Sequence, residues 1–203
     1  FSLNPGFKIN KCLVGDRENG YTQNQHLIVI DKTLNPEDSV NITLHYSGRP
    51  DERISYLEVP NQLLYKGEQM LFLKIPKKFS FISSDYLMFT PELLWYPIAG
   101  TGFSSKNVAG FRKNFSEYQL TVESAKNMTV LSQGKPEREN QKWKFHPKKP
   151  MTCMSVIAGK YQRDSIAVDD IIYNIYHKAG HDSYKSFFTD IQDTIPSIIQ
   201  TVM

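Results

Sequence analysis

The sequence predicts an all-β fold, either an antiparallel β-sandwich or a saddle-shaped curved sheet, with one C-terminal helix. Three observations support this prediction. Many apolar segments have the length of single strands, and residues that favour turns, such as Pro, Gly, Asn and Asp, separate them at close spacing. Several of these segments alternate apolar and polar residues, as half-buried strands do. A long helical spacing of apolar residues occurs nowhere before residue 182.

The composition narrows the class of protein. With 203 residues, of which 40% are apolar, the chain can bury a core as one domain or as one domain with a short appendage. The net charge of +3 is small and scattered, so we expect no nucleic-acid partner. No window reaches the ~18 consecutive apolar residues that a membrane-spanning helix requires. The chain opens on Phe1 without a signal peptide, so we expect a segment excised from a longer protein.

The first strands follow directly from apolar runs and turn residues. Phe7 to Val14 is predicted to be a strand, and Leu27 to Asp31 is a short apolar run. Val40 to Tyr46 alternates apolar with polar residues, which predicts a strand with one solvent-facing side. His45 falls on the polar side, so we interpret it as an exposed residue and not as a ligand.

The middle of the chain continues in the same way. Strand-length segments are predicted at residues 71 to 75, 79 to 82, 86 to 89 and 93 to 96. Lys142 to His146 alternates lysines with Trp143 and Phe145, which is typical of a half-buried edge strand protected by lysine. We therefore expect Trp143, Phe145 and also Trp95 to be largely buried. The last strands are predicted at residues 151 to 158, 166 to 168 and 171 to 177.

A helix is predicted after Asp182, which can cap its first turn. Its apolar residues recur at helical spacing: Phe187, Phe188, Ile191, Ile195, Ile198, Ile199 and Val202. Pro196 should break or kink it, because proline has no amide hydrogen to donate. We therefore divide the chain into a β-domain, residues 1–180, and the helical start of a following domain, residues 181–203. The apolar stripe needs cover, by the β-domain or by a second copy in a homodimer, unless the helix is partly disordered.

Residues that could carry out chemistry are scarce. His177 and His181 have the spacing of a zinc-peptidase motif, but Lys178 stands where such a motif has its general base. Asp169 and Asp170 are better explained by a hairpin turn. The sequence therefore predicts no catalytic residue and no metal ligand in this chain. Cys12 and Cys153 lie in apolar surroundings, which favours buried free thiols, while a disulfide between them stays open.

Several short sequence segments resemble a known family. They are Leu3 to Ile9, Leu44 to Gly48, Trp95 to Pro97, Tyr118 to Val122, Val130 to Gly134, Lys142 to His146, Pro150 to Ala158 and Gly159 to Tyr161. In this order they resemble the amino-terminal β-domain of aminopeptidase N-type zinc peptidases, the gluzincin aminopeptidases. The family's domain has a strand ending at a glycine turn, then an aromatic strand, then a buried strand ending in Gly-x-Tyr. Residues 118 to 161 follow that order, and the resemblance covers nearly the whole chain.

The resemblance implies a role beside a catalytic domain. In the family this domain packs against a thermolysin-like domain, whose opening would be residues 181–203. Zinc would be bound there, by a His-Glu-x-x-His motif beyond Met203, so no cofactor is expected in this chain. The implied partners are that catalytic domain and a peptide substrate. Similar proteins include long bacterial membrane proteins with permease-like helices and an aminopeptidase-like module, which implies an extracytoplasmic location.

The resemblance also suggests candidates for the substrate cleft, namely Tyr86, Met88 and Glu92. Active family members carry Gln and Glu on the strand that leads to the matched proline, where they hold the free amine of the substrate. The corresponding positions here are Tyr86 and Met88. Leu93 and Leu94 replace the family's basic pair. These departures imply a parent with altered specificity or without activity.

Two functions of different classes follow. The leading hypothesis is a non-catalytic β-domain of an aminopeptidase-like zinc protein, which walls a peptide cleft and braces the catalytic domain. The alternative is a free-standing β-sandwich module that binds protein or glycan. The apolar terminal helix favours the first, because a self-contained module does not need such a helix at its edge.

Overall fold

The computed structural model describes residues 1–56, 79–100, 115–168 and 171–181. These residues form an all-β fold with fourteen strands in five antiparallel sheets, which confirms the predicted fold class. Two short 3₁₀ turns, Glu52–Tyr56 and Pro91–Leu93, complete the regular structure of the described residues. The predicted C-terminal helix and the predicted strand at residues 71 to 75 lie outside them.

The strands are named in chain order. They are β1 (Phe7–Val14), β2 (Arg17–Glu18), β3 (Tyr21–Asn24), β4 (Leu27–Ile30), β5 (Ile42–Gly48), β6 (Ser80–Ile82), β7 (Tyr86–Phe89), β8 (Leu120–Glu123), β9 (Thr129–Ser132), β10 (Lys135–Glu139), β11 (Lys142–His146), β12 (Val156–Gly159), β13 (Gln162–Val168) and β14 (Ile171–His177). Strands β1, β7, β11 and β14 have the predicted bounds, β4 ends one residue earlier than predicted, and β5 is shifted by two residues.

The first half of the chain builds one core. Its sheets are β2-β1-β5 and the β3-β4 hairpin. Burial alternates from Phe7 to Ile9, and an irregularity in the β1-β5 pairing between Ile9 and Lys11 then shifts the alternation by one residue, so that Cys12 is buried. The buried apolar residues of this first core are Leu3, Phe7, Ile9, Cys12 and Ile28. His45 on β5 is exposed, as predicted.

Asn4 ties the start of the chain to two distant turns. Its side chain is completely buried. Oδ1 accepts hydrogen bonds from the backbone of Gly6 at 2.9 Å and of Asp51 at 2.7 Å. Nδ2 donates to the carbonyl oxygens of Leu93 at 2.8 Å and of Asp51 at 3.1 Å. Both donors and both acceptor positions of the amide are therefore used, which is what burial of such a group requires.

The second half is a small β-sandwich. One layer is the sheet β10-β11-β8 and the other is the sheet β6-β7-β12-β9. Trp143 and Phe145 on β11 face Val130 on β9 and Val156 on β12, so the two layers share a core. Burying each such large apolar side chain contributes ~1.5–3 kcal/mol to stability. Trp143 and Phe145 are 7% and 1% exposed, which confirms their predicted burial.

Trp95 connects the two halves. It packs against both cores and is half-buried, less than predicted. The Tyr46 hydroxyl of β5 donates to the carbonyl oxygen of Trp95 at 3.1 Å, and Trp95 Nε1 donates to the carbonyl oxygen of Met154 at 3.3 Å. Trp95 is therefore hydrogen-bonded to the first half through its backbone carbonyl and to the second half through its indole nitrogen.

The structure corrects three strand predictions. Residues 93 to 96 are not a strand: Pro91 starts a 3₁₀ turn, where its missing amide hydrogen is not needed, and Leu94 ends it with φ 55°. Strand β11 is not an edge strand, because β10 and β8 pair with its two sides. Residues 151 to 155 do not belong to β12, which begins at Val156.

The cysteines are free thiols. Cys12 is buried on β1, and Cys153 is half-buried. This confirms the preferred prediction of unpaired thiols, although Cys153 is less buried than expected. Burial, followed by the nearby Asp31 carboxylate, raises the pKa of Cys12 above its ordinary value.

Candidate functional site

The outer face of the four-stranded sheet carries the candidate site. Leu87 and Phe89 of β7 point into the sandwich core, so Tyr86 and Met88 point to the opposite, outer face. A cleft of about 490 Å³ lies on this outer face. Its floor is formed by Leu131 of β9 and Ile157 of β12, and its aromatic walls come from β7 and from the β13-β14 hairpin.

A glycine makes room for one of these walls. Gly159 stands opposite Tyr86 in the β12-β7 pairing and has no side chain to fill the outer face. The ring of Tyr161 occupies that space: a Cβ on Gly159 would lie 2.8 Å from Cε2 and 3.0 Å from Cζ of Tyr161. The Gly-x-Tyr ending of this strand therefore has a direct structural purpose, since it places an aromatic ring across the sheet.

Three tyrosines line the cleft side by side. The rings of Tyr86 and Tyr161 meet edge to face, with centroids 6.2 Å apart and planes at 82°. Tyr161 meets Tyr176 in the same way, at 6.3 Å and 74°. Strand pairing positions Tyr176, because β14 runs antiparallel to β13 with Arg163 opposite Tyr176. Burial, and then the neighbouring Tyr86, raises the pKa of Tyr161 above its ordinary value.

A lysine and an aspartate stand at the rim. Lys178 follows β14, and its Nζ lies 5.3 Å from the centroid of the Tyr86 ring, within cation–π range. The same Nζ lies 3.6 Å from Oδ2 of Asp85. Ser83 Oγ donates a 3.0 Å hydrogen bond to the other carboxylate oxygen. The Ser83 hydrogen bond, and then the Lys178 charge, lower the pKa of Asp85 below its ordinary value.

The two histidines complete the lining. His177 is 8% exposed, and its Nε2 lies 3.4 Å from Oδ2 of Asp164 across the hairpin. His181 is exposed at the mouth of the cleft. Within the described ranges, no group of three or more His, Cys, Asp or Glu side chains is placed to hold a metal ion. The tyrosine rings of the cleft can stack on a ligand, and the lysine ammonium and the imidazoles can form hydrogen bonds with it.

Of the three residues predicted to line the substrate cleft, one lines the observed cleft and two do not. Tyr86 lines the cleft. Met88 lies on the same face of β7, two residues further along and opposite Ile157. Glu92 is exposed on the 3₁₀ turn that follows the strand, and it is not among the residues that line the cleft.

Sequence reasoning missed Tyr161, Tyr176, Lys178 and Asp85 as site residues. The Gly-x-Tyr ending of β12 was visible in the sequence, but it did not show what the ring would meet. The partners of Tyr161 depend on the register of β13 with β14 and on the fold of that hairpin over the sheet. The β6-β7 turn that holds Asp85 likewise gives no sequence signal for an ion pair with a lysine 93 positions further along.

Comparison with known proteins adds no relative: the chain matches no protein-family model, no curated protein and no solved structure. In the part of the chain that the structure describes, no helix has the length and apolar character needed to cross a membrane.

Proposed function

We propose that this chain is the non-catalytic β-domain of an aminopeptidase-like zinc metallopeptidase, in which it walls a peptide cleft and braces the catalytic domain. The observation that carries the proposal is the aromatic cleft on the outer face of the four-stranded sheet. It contains Tyr86, one of the residues that the family resemblance assigns to the substrate cleft. Zinc and the catalytic groups belong to the following domain of an extracytoplasmic, membrane-anchored parent.

The wall function is supported by the rigidity of the cleft floor. Ile157 and Leu131 are held by the paired strands β12 and β9, and the opposite face of both strands packs into the sandwich core. A binding surface on paired strands keeps its geometry better than one on loops. The floor is apolar and the rim is polar, which is the usual character of sites for small organic groups and side chains.

The brace function is supported by apolar residues that stay exposed on β6 and β14. Phe81 on β6 is 42% exposed and stands opposite Met88. Ile171 and Ile172 at the start of β14 are 47% and 67% exposed. Neighbouring apolar groups on a surface mark interaction sites when they are not isolated. A second domain that packs against the outer face of β6 and β7 would cover Phe81 and close the cleft beside Tyr86.

The alternative is a free-standing module that binds glycan or protein. Its specific support is the set of three tyrosines, Tyr86, Tyr161 and Tyr176, because aromatic rings present flat apolar area together with a polar hydroxyl. Sugars and peptides can both use such a surface, so the ligand distinguishes the two functions.

The test is an NMR titration of the ¹⁵N-labelled chain with blocked tripeptides and, separately, with a trisaccharide. The proposal expects the peptides to shift the amide signals of Tyr86, Ile157 and Tyr161. Tyr86→Ala should remove the shifts, while His45→Ala, an exposed residue of the other half, should leave them. Shifts with the trisaccharide alone would favour the module, and no shift with either ligand would refute the cleft. The parent's next few hundred residues should also encode His-Glu-x-x-His, and their absence would refute the zinc-protein assignment.

A further inference from the structure

We propose that the cleft binds a positively charged side chain of a peptide, a lysine ammonium or an arginine guanidinium, at the place that the protein's own Lys178 occupies. This inference rests on the proposed peptide-binding function and names its ligand class. It starts from the fact that a cation already stands against the aromatic wall.

Lys178 shows that the site accepts a cation. Its Nζ lies 5.3 Å from the centroid of the Tyr86 ring and 3.6 Å from Oδ2 of Asp85. The face of an aromatic ring is electron-rich and attracts an ammonium or guanidinium group. A ring face and a carboxylate thus act on the same nitrogen, which is a combination that a ligand cation can also use.

The rest of the cleft extends this environment. Tyr161 and Tyr176 continue the aromatic wall beyond Tyr86. Asp164, beside His177, adds a second carboxylate near the cleft. Among the described residues that line the cleft, Lys178 is the one with a permanent positive charge. Tyr86 and Asp85, the two groups that contact the Lys178 ammonium, therefore favour a cation over an anion at this position.

Lys178 is held loosely enough to be exchanged. Its side chain is 39% exposed and that of Asp85 is 45% exposed. Ion pairs in such contact with water are weak and break readily. The lysine stem is long and flexible, so its ammonium can move into solvent when another cation enters. The cleft, at about 490 Å³, has room for a lysine or arginine side chain once Lys178 has moved.

A competing internal cation has a measurable consequence. If a ligand cation takes the place of the Lys178 ammonium, then removing that ammonium should strengthen binding. If instead the cleft selects an anion, Lys178 should be the group that holds it, and its removal should weaken binding. The sign of the change thus separates the two electrostatic alternatives.

The experiment compares three doubly blocked tripeptides, with lysine, norleucine or glutamate between two alanines, by NMR titration at low salt. Norleucine has nearly the shape of lysine without the charge. In the unmodified chain the lysine peptide should bind most tightly. Lys178→Gln should tighten its binding by about three- to tenfold, the size expected for one weak ion pair together with one cation–π contact. Asp85→Asn should reduce the preference for lysine over norleucine.

Lys144→Gln is the matched control. Lys144 lies on β11 in the other layer, and its Nζ forms a comparable exposed ion pair with Glu139 at 3.8 Å. It removes the same charge from the chain but should leave peptide binding unchanged. Equal binding of the lysine and norleucine peptides in both the unmodified chain and Lys178→Gln would overturn the inference while leaving the peptide cleft intact. Tighter binding of the glutamate peptide would also overturn it. No binding of any peptide would refute the proposed function itself.

Discussion

The ring of Tyr161 lies across the backbone of Gly159, close enough that a single methyl group on Gly159 would collide with it. The contact joins the buried strand β12 to the wall of the cleft. Because Gly159 is itself buried and paired with both β7 and β9, the backbone cannot easily move away. The ring would have to move instead.

Gly159→Ala should therefore destabilise the chain by about 1–3 kcal/mol, as overpacking of a close contact does, and should weaken binding in the cleft. Urea unfolding gives the first quantity and peptide titration the second. The double variant Gly159→Ala with Tyr161→Ala is the control, because the added methyl group then meets no ring. Strictly additive free energies in this cycle would show that the two residues do not interact.

Trp143→Ala should cost roughly 3–5 kcal/mol of unfolding free energy, because it leaves a large cavity between the two layers of the sandwich. Trp143 is 7% exposed, and the Arg138 guanidinium lies 4.6 Å from its ring centroid. Phe115→Ala is the matched control at a position that is 74% exposed, where about 0.5 kcal/mol or less is expected. Equal thermal midpoints for the two variants would contradict the assigned faces of β11.

Asn4→Ala should destabilise the chain by about 2–5 kcal/mol, because it leaves the buried carbonyl of Leu93 and the partly buried amides of Gly6 and Asp51 without their partners. Asn10→Ala removes one hydrogen bond, to Ser47 Oγ, at an exposed position and serves as the control. Chemical denaturation measures both. A cost for Asn4→Ala no larger than for Asn10→Ala would mean that the amide does not hold these turns together.

Cys12 should react far more slowly than Cys153 with a thiol reagent at neutral pH, because it is 1% exposed and burial raises its pKa. The Cys153→Ser variant isolates the reaction of Cys12, which should become fast in denaturant. The raised pKa also fixes the sign of a pH effect: this thiol favours the folded state below its ordinary pKa, and the contribution is lost as the pH rises through the folded-state pKa. Rapid labelling of Cys12 in the native chain would contradict its burial.

Truncation after Gly180 tests the predicted domain boundary and the predicted apolar helix, both of which stay predictions. We expect the shortened chain to keep most of its free energy of unfolding, because every described residue of the two apolar cores precedes residue 181. Light scattering should show whether the full chain is a homodimer that the truncation converts to a monomer. Loss of most of the stability would place the helix within the core of this domain and make the boundary at residue 180 wrong.

The sequence predicts which residues of a single strand are buried, because that depends only on the alternation of side chains within the strand. The alternating side chains of Lys142 to His146 determine which face is buried, and the structure agrees residue by residue. The same pattern does not predict which strands pair with it: β10 pairs with one side of β11 and β8 with the other. The strand predicted at residues 93 to 96 was wrong for a local reason. Pro91 begins a 3₁₀ turn and Leu94 ends it in the left-handed conformation, so the apolar run does not form a strand.

The site was less predictable than the fold for the same physical reason. Tyr86 could be placed on a strand from its own neighbours, and it does lie in the cleft. Tyr161, Tyr176 and Lys178 meet it only through the register of a hairpin and its folding over a sheet, which are non-local contacts. Local sequence patterns therefore identify the strands on which these residues lie but do not predict that the residues contact one another.

Trp95 has a consequence for how the two halves respond to thermal fluctuation. Its ring packs against both cores, and its backbone and indole nitrogen are hydrogen-bonded to Tyr46 on one side and Met154 on the other. Opening either half exposes part of the same indole and breaks one of these bonds, so neither half can open without a loss to the other. The slowest-exchanging amides of β1 and β12, which belong to different sheets, should therefore share one opening free energy and behave as a single cooperative unit.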